Sequence, residues 1–370
     1  MEPLWNLIHL LEPSSLILIA TALFVVVASA QCALNYERDV DKHRDFADAS
    51  ITLDSQQALM IPVASSCSLL LMFYLFSSLS QLVTVFTAIA SASSLAFCLS
   101  PFVSMANSKL GPLSFLGTRS YCGPFTRTQG MLALISLSTV AAWLFSGHWI
   151  LNNILGISIC IAFVSHVRLP NIKICALLLA CLFVYDIFWV FFSERFFGAN
   201  VMVSVATQQA SNPMHTVANS LNLPGSNSIT QKLDLPVKLL FPRDLLGGVP
   251  AGRSGSEFMM LGLGDMAIPG MLLALVYCFD HRKSKGDFDT ETTFSKGYKY
   301  IWYAAVGYGV GLVAALAAGV LTRAPQPALL YLVPSTLGPV AFVAWTRSEL
   351  TELWNGPRPI VHDKMRLMEV

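Results

Sequence analysis

Leu182-Phe183-Val184-Tyr185-Asp186-Ile187-Phe188-Trp189 carries one carboxylate inside an otherwise apolar run, and Leu261-Gly262-Leu263-Gly264-Asp265-Met266 carries a second further along the chain. An acid in such a run is expensive wherever the run is buried in hydrocarbon, so its presence asks for a functional reason. The surrounding composition says that the medium is hydrocarbon. Of the 370 residues, 54% are hydrophobic and only 12% charged, with a mean hydropathy of +0.60. A soluble domain carries about a quarter charged residues. Apolar runs of roughly 18 to 25 residues recur along the chain, which is the length a bilayer-spanning helix requires.

Working outward from the two acids, long apolar windows predict an all-α polytopic membrane protein with nine transmembrane helices. They fall near residues 14–34, 58–79, 81–105, 130–146, 149–167, 172–192, 258–279, 301–322 and 327–345. The fourth and fifth are the shortest, with only Ser146-Gly147-His148 between them. The chain then divides into a six-helix portion over 1–192 bearing Asp186, a loop over 193–257, and a three-helix portion over 258–370 bearing Asp265 and ending in a tail. An odd number of spans puts the termini on opposite faces. Counting along the alternating loops, 17 of the 23 Lys and Arg collect on the face away from the N-terminus. Positive residues in short loops mark the cytosolic side, so the expectation is an exoplasmic N-terminus, an exoplasmic 193–257 loop and a cytosolic C-terminus. The first apolar run lacks a basic leader and is flanked by Glu2 and Glu12, so it reads as a retained span. The 193–257 loop holds turn-forming Asn212-Pro213 and Pro224-Gly225-Ser226, and two β-prone pieces, Val201–Val205 and Lys238–Phe241.

Several functions are disfavoured at this level. A formal net charge of +1 without a basic stripe argues against a nucleic-acid partner. The eight cysteines show no C-x-x-C spacing, so neither a metal site nor a disulfide framework is signalled, and no cofactor is expected. No asparagine stands in an N-x-[ST] sequon.

The two acids can meet. Asp186 lies about six residues before the exoplasmic end of its helix and Asp265 about seven after the start of the next, so both sit on the order of 10 Å below the same face. Consecutive spans are often neighbours. Two carboxylates at close range hold one proton between them, which supplies a base to activate water and an acid to protonate a leaving amine. Gly262 and Gly264 weaken the helix but admit close backbone approach. Tyr185 offers a hydroxyl beside Asp186, and Pro327 opens the ninth helix on the same face. Taken alone, the acids fit an ion or proton conductor at least as well as a protease. Elsewhere the residues read as structural: Gly307, Gly311, Ala315 and Gly319 form a small-residue packing face on the eighth helix, and Asn152 and Asn153 hydrogen-bond a neighbour.

Three motifs in order shift that balance. Tyr185-Asp186 in the sixth span, Gly262-Leu263-Gly264-Asp265 in the seventh and Gln326-Pro327-Ala328-Leu329 at the ninth together resemble the signal peptide peptidase and presenilin group of intramembrane aspartic proteases. The resemblance implies a nine-helix fold, Asp186 and Asp265 as the catalytic pair, and a site shaped by Tyr185, Gly262, Leu263, Gly264, Gln326, Pro327, Ala328 and Leu329. The expected orientation is that of the signal peptide peptidase branch, and the run Asn200–Thr207 is similar to the signal peptide peptidase-like members. Met368-Glu369-Val370 carries no endoplasmic-reticulum retention signal. Implied partners are type II membrane protein substrates and the lipid bilayer of an endomembrane compartment, with homo-oligomerisation open. A substrate helix must unwind to expose its carbonyls, and Lys238–Phe241 is the expected strand for it to pair with.

Overall fold

The computed structural model describes residues 12–42, 51–110, 120–122, 125–215, 232–242, 258–286, 299–322 and 326–356. It is predominantly helical. In chain order the main elements are α1 (Pro13–Lys42), β1 (Ile51–Thr52), α2 (Ser55–Leu110), α3 (Arg127–Ser146), α4 (Trp149–His166), β2 (Val167–Arg168) and α5 (Ile172–Ile187). After these come α6 (Val201–Thr207), β3 (Lys238–Pro242), β4 (Phe258–Gly262), α7 (Gly264–Gly286), α8 (Tyr300–Thr322), α9 (Leu329–Thr346) and α10 (Leu350–Asn355). Among the described residues seven helical segments are long and apolar enough to cross a membrane, and the helix over Gly130–Ser146 is a shorter apolar one. α7 carries Asp265 at its start and a charged end, so its full length does not read as apolar.

Two of the expected windows, 58–79 and 81–105, lie on one continuous helical assignment, α2. A straight rod of that length would reach about 84 Å at 1.5 Å per residue, far beyond a bilayer. The contacts show that the chain doubles back. Leu53, just ahead of α2, donates its N–H to the Arg168 carbonyl (3.0 Å), while the Phe97 ring lies tilted against His166 two residues from that same point. Between them, Ser80 meets Ser211 at the other end of the bundle. The segment therefore rises and returns as two spans, Ser55–Phe76 and Ser78–Val103.

The most enclosed helix is α7, and α1 lays one buried face against it. Leu18, Ala22, Val25, Val26 and Ala30 are fully buried, and α1 packs against α4, α7 and α8. Lipid tails are as apolar as leucine, so helix association rests on close fit rather than on hydrophobic transfer. The α8–α9 contact is the clearest case. A Cβ built on Gly307 would lie 2.0 Å from the Ser335 carbonyl oxygen, and one on Gly311 would lie 2.1 Å from the Ser335 hydroxyl. Gly319, expected on the same face, borders open space. Large apolar side chains such as Phe24, Phe86, Leu134, Trp302 and Phe342 point outward, as lipid-facing residues do.

Two local expectations are corrected. Val201–Val205 is helical rather than extended, because the Asn200 side chain accepts the Val203 N–H and caps α6. The seventh window, expected to be helical from 258, begins as strand β4 and becomes helix only at Gly264. Tertiary pairing with β3 overrides the hydropathy there. The turn Pro224-Gly225-Ser226 lies outside the described residues.

At the end of the bundle remote from Asp265, Glu349 joins three helices. It pairs with Lys283 of α7 and accepts a hydrogen bond from the Tyr300 hydroxyl of α8 (2.7 Å). Burial opposes its ionisation, but the Lys283 and Tyr300 hydrogen bonds outweigh it and hold the carboxyl below its ordinary range. Its stabilisation is therefore present above the unfolded carboxyl value of about 4.3 and is lost as pH falls through the lower folded value. Glu349→Gln should lower stability at neutral pH and flatten that acid limb in thermal melts of detergent-solubilised protein. Gly307→Ala should cost about 1–3 kcal/mol through overpacking against the α9 backbone, read in the same assay, whereas Gly319→Ala should be near neutral.

Candidate active site

α5 is built from an apolar stretch begun by Asn171, whose side chain accepts the Ile174 N–H. It brings Asp186 to its last turn, where the side chain is only 2% exposed. Directly afterwards the helix widens into a π-turn over Phe188–Phe192, a form that recurs at functional sites. Trp189 anchors this turn, with its indole N–H on the Ser66 hydroxyl (3.1 Å) and its ring stacked on Phe197.

The buried Asp186 carboxylate has one fixed partner. Its Oδ2 accepts the backbone N–H of Leu329 at 3.0 Å. Leu329 is the first residue of α9, and Ala328, at the cap position, supplies no side-chain hydrogen bond. A helix start leaves its first amides unpaired. Here a carboxylate from another helix satisfies one of them, and the positive end of the α9 dipole faces a group that can carry negative charge. Pro327 precedes the cap rather than opening the helix, so the expected ninth start is moved by two residues. Pro327 is buried and has no N–H to leave unsatisfied. Gln326 donates to the Thr322 hydroxyl (3.0 Å) and accepts from the Tyr331 hydroxyl (3.4 Å), tying the α8–α9 connection to itself.

Asp265 stands in the first turn of α7, half-buried. α5 and α7, the helices that carry the two acids, pack together. The Gly-Leu-Gly segment ahead of Asp265 divides its work. A Cβ on Gly262 would lie 3.2 Å from Asp265 Oδ2, so this glycine makes room for the carboxylate itself. Gly264 is exposed and borders open space, leaving bare backbone beside the acid. Leu263 is the buried member. Its N–H donates to the Val237 carbonyl (3.0 Å), and its own carbonyl accepts from Met266 and Ala267 to start the helix. Tyr185 is half-buried with its ring tilted against Trp189.

The support beneath the site comes from residues that the sequence marked only as structural. β3 pairs antiparallel with β4 in the register Lys238↔Gly262, Leu239↔Leu261, Leu240↔Met260 and Phe241↔Met259. The other edge of β3 is closed by α4. Asn152 donates to the Lys238 carbonyl (3.0 Å), and Asn153 both donates to the Leu240 carbonyl (2.8 Å) and accepts the Leu240 N–H (2.9 Å). Gly156, one turn on, lets the Pro236 carbonyl and the Leu263 side chain rest on α4. Polar pairs on an apolar helix were the available signal; their strand partner lies more than 80 residues away and could not be inferred. Lys238 itself is buried, paired with Asp234 (3.0 Å) and the Ala206 carbonyl (2.9 Å). No group of three or more metal-ligating side chains occurs among the described residues.

A multi-pass helical membrane protein with a carboxylate on each of two packed helices, one of those helices led in by a short sheet, is the class that fold and site define. The sequence matches the signal peptide peptidase family over residues 45–359. It is 67% identical over 371 residues to signal peptide peptidase-like 1 of Oryza sativa subsp. japonica, covering 100% of both chains. It is 69% identical over 360 residues to signal peptide peptidase-like 1 of Arabidopsis thaliana, covering 96% of each. Signal peptide peptidase of Homo sapiens is 31% identical over 353 residues, covering 90% of this chain and 79% of its own. The chain belongs to the signal peptide peptidase family of intramembrane proteases.

Asn153→Ala should leave both Leu240 backbone groups buried and unpaired. A loss of about 2–6 kcal/mol is expected at roughly 1–3 kcal/mol per unsatisfied group, measured as a fall in melting temperature. Asn153→Asp keeps the acceptor and loses one donor, so it should fall between alanine and wild type.

Proposed function

We propose that this protein is an intramembrane aspartic endopeptidase in which Asp186 and Asp265 cleave a peptide bond within or near the membrane-spanning segment of a type II membrane protein. The observation that supports the reading is a buried carboxylate on α5, held by the Leu329 amide, and a second carboxylate beside bare glycine backbone at the start of α7, a helix packed against α5. A chain that merely needed packing would not place two acids on adjoining faces of α5 and α7. One carboxylate, ionised, takes a proton from water as the oxygen attacks the scissile carbonyl. The other, protonated, donates to the carbonyl oxygen, and the departing amine is protonated when the C–N bond breaks. Neither a metal nor a covalent intermediate is called for.

Reading α3 and α7 as spans beside the seven long apolar segments gives nine in all. The cation-rich face is then cytosolic, the aspartates lie toward the exoplasmic face, and the protein belongs to an endomembrane compartment. The 1–192 and 258–370 portions each contribute one acid, with the 193–257 loop supplying β3.

Substrate presentation needs revision from the expectation at the sequence level. Lys238–Phe241 has no free edge, because β4 occupies one side and Asn152 and Asn153 the other. In an antiparallel pair, alternate residues turn their amides outward. Leu240 faces α4, so its partner Met260 turns away from β3, and Phe258 and Gly262 turn with it. Met260 is 46% exposed. An unwound substrate would therefore add as a strand to β4, which leads directly through Gly264 to Asp265.

Reconstituted with a type II membrane reporter, wild type should release the cleaved fragment while Asp186→Ala and Asp265→Ala release none above background. Cleavage by either variant at the wild-type rate would end the aspartic reading. Met260→Pro removes one outward N–H and no β3–β4 bond, so it should cut cleavage by about tenfold or more, the size expected for one lost strand contact plus the proline's misfit. Met260→Ala should retain activity. Equal rates for the two would argue against strand addition at β4.

A further inference from the structure

At the end of the bundle opposite Asp265, where α1, α4 and α7 converge, lies a half-enclosed cavity of about 60 Å³ whose polar lining includes Glu37, Ser165, Arg168, Cys278 and Arg282. Arg168 is the built element of this cavity. Its backbone is fixed in β2 by the Leu53 amide, and its guanidinium lies over the Tyr36 ring, 5.6 Å from the centroid. Tyr36 is itself held edge-on to Phe97 and tilted against His166. One nitrogen of that guanidinium, Nη2, is buried and has no hydrogen-bond partner. Arg282 stands at the exposed lip with Nη2 3.9 Å from Glu37 Oε1, too far for a hydrogen bond. Ser165 is already committed to the Ile161 carbonyl (2.7 Å). Arg38, next along α1, is engaged by His281 at 3.1–3.2 Å.

Two features ask for an anion here rather than water alone. A water would satisfy the orphaned Nη2 but not the charge, since Arg168 and Arg282 face one Glu37. A guanidinium fork matches the tetrahedral oxygens of a phosphate group, and two forks converging on one cavity do so from two directions. The cavity has room for a group of that size. Its position is where α1, α4 and α7 leave the bilayer on the cation-rich face, the depth at which phospholipid headgroups lie and at which basic pockets between helices capture them. Its deeper lining is apolar, with Ala33, Met271 and Leu275.

We propose that this cavity binds the phosphate of an anionic phospholipid, gripped by Arg168 from within and Arg282 at the lip. Occupancy would fasten α7, which carries Asp265, to α1 and to α4, which carries the strand-supporting asparagines. The site is separate from the aspartates and does not depend on their chemistry.

The test uses the purified full-length chain in neutral detergent, titrated with dioctanoyl phosphatidic acid, dioctanoyl phosphatidylcholine and inorganic phosphate, and read by native mass spectrometry and by melting temperature. Phosphatidic acid should bind at one saturable site and raise the melting temperature, with phosphatidylcholine giving no such shift. Arg168→Gln should weaken phosphatidic acid binding by about tenfold or more, the loss expected for a charge-assisted hydrogen bond. Arg282→Gln, at an exposed position that does not threaten folding, should weaken it in the same direction, and Arg195→Gln, on an exposed helix at the other end of the bundle, should leave it unchanged. Equal binding of inorganic phosphate at the same concentrations would show a soluble anion site and overturn the lipid assignment. Equal binding of both lipids, or unchanged binding by Arg282→Gln, would overturn the proposal altogether.

Discussion

A carboxylate buried in the membrane core and bonded to the first amide of a neighbouring helix is the constraint on which this structure turns. Asp186 cannot be left alone at its depth, and α9 cannot begin there with its amides unpaired. Each resolves the other's deficit through the bond from Leu329 N–H to Asp186 Oδ2. That single contact fixes the relative height of α5 and α9. α9 in turn is locked to α8 by Gly307 and Gly311, which admit the Ser335 region of its backbone. The Pro-Ala-Leu segment is thus a device for aiming a helix start at an acid: Pro327 has no amide to satisfy, Ala328 is small, and Leu329 donates.

The second acid is held differently. Asp265 depends on the turn from β4 into α7, and β4 depends on β3, whose far edge is bound by Asn152 and Asn153. A strand placed among membrane helices must have its backbone groups paired by protein, because lipid offers no partners. The asparagines do this on one side of β3 and β4 does it on the other. The outward groups of β4 are not used by β3, and the proposed substrate strand would pair with them. The arrangement gives one acid anchored by a backbone amide and one beside open backbone, an asymmetry that suits the proposed proteolytic site.

The two ends of the bundle carry contrasting electrostatics. Near the aspartates polar groups are few: the Leu329 amide holds Asp186, while the buried Tyr308 hydroxyl has no hydrogen-bond partner among the described residues. At the other end Glu349, Lys283 and Tyr300 tie α7, α8 and the start of α10, while Arg168 and Arg282 leave cationic capacity in a small cavity. Charge at the ends and close packing between them is how a bundle without a hydrophobic driving force between its helices acquires a single arrangement.

Much of this was legible in the residues themselves. Hydropathy depends only on local composition, so the membrane environment and the helix windows could be read directly, as could the oddity of Asp186 and Asp265 in apolar runs. The small-residue face of α8 was visible for the same reason at Gly307 and Gly311, though not at Gly319, where nothing among the described residues lies within 4 Å of an added Cβ. What hydropathy could not decide was anything requiring a partner distant in the chain. Val201–Val205 looked extended until Asn200 capped it as a helix. Residues 258–262 looked like the start of a span until β3 drew them into a strand. Asn152 and Asn153 showed that a partner was needed but not that it was the β3 backbone. The sequence by itself determined which groups were costly to bury; only the tertiary structure decided which neighbours satisfied them, because a hydrogen bond between residues 143 positions apart, as between Asp186 and Leu329, leaves no periodic trace in either segment.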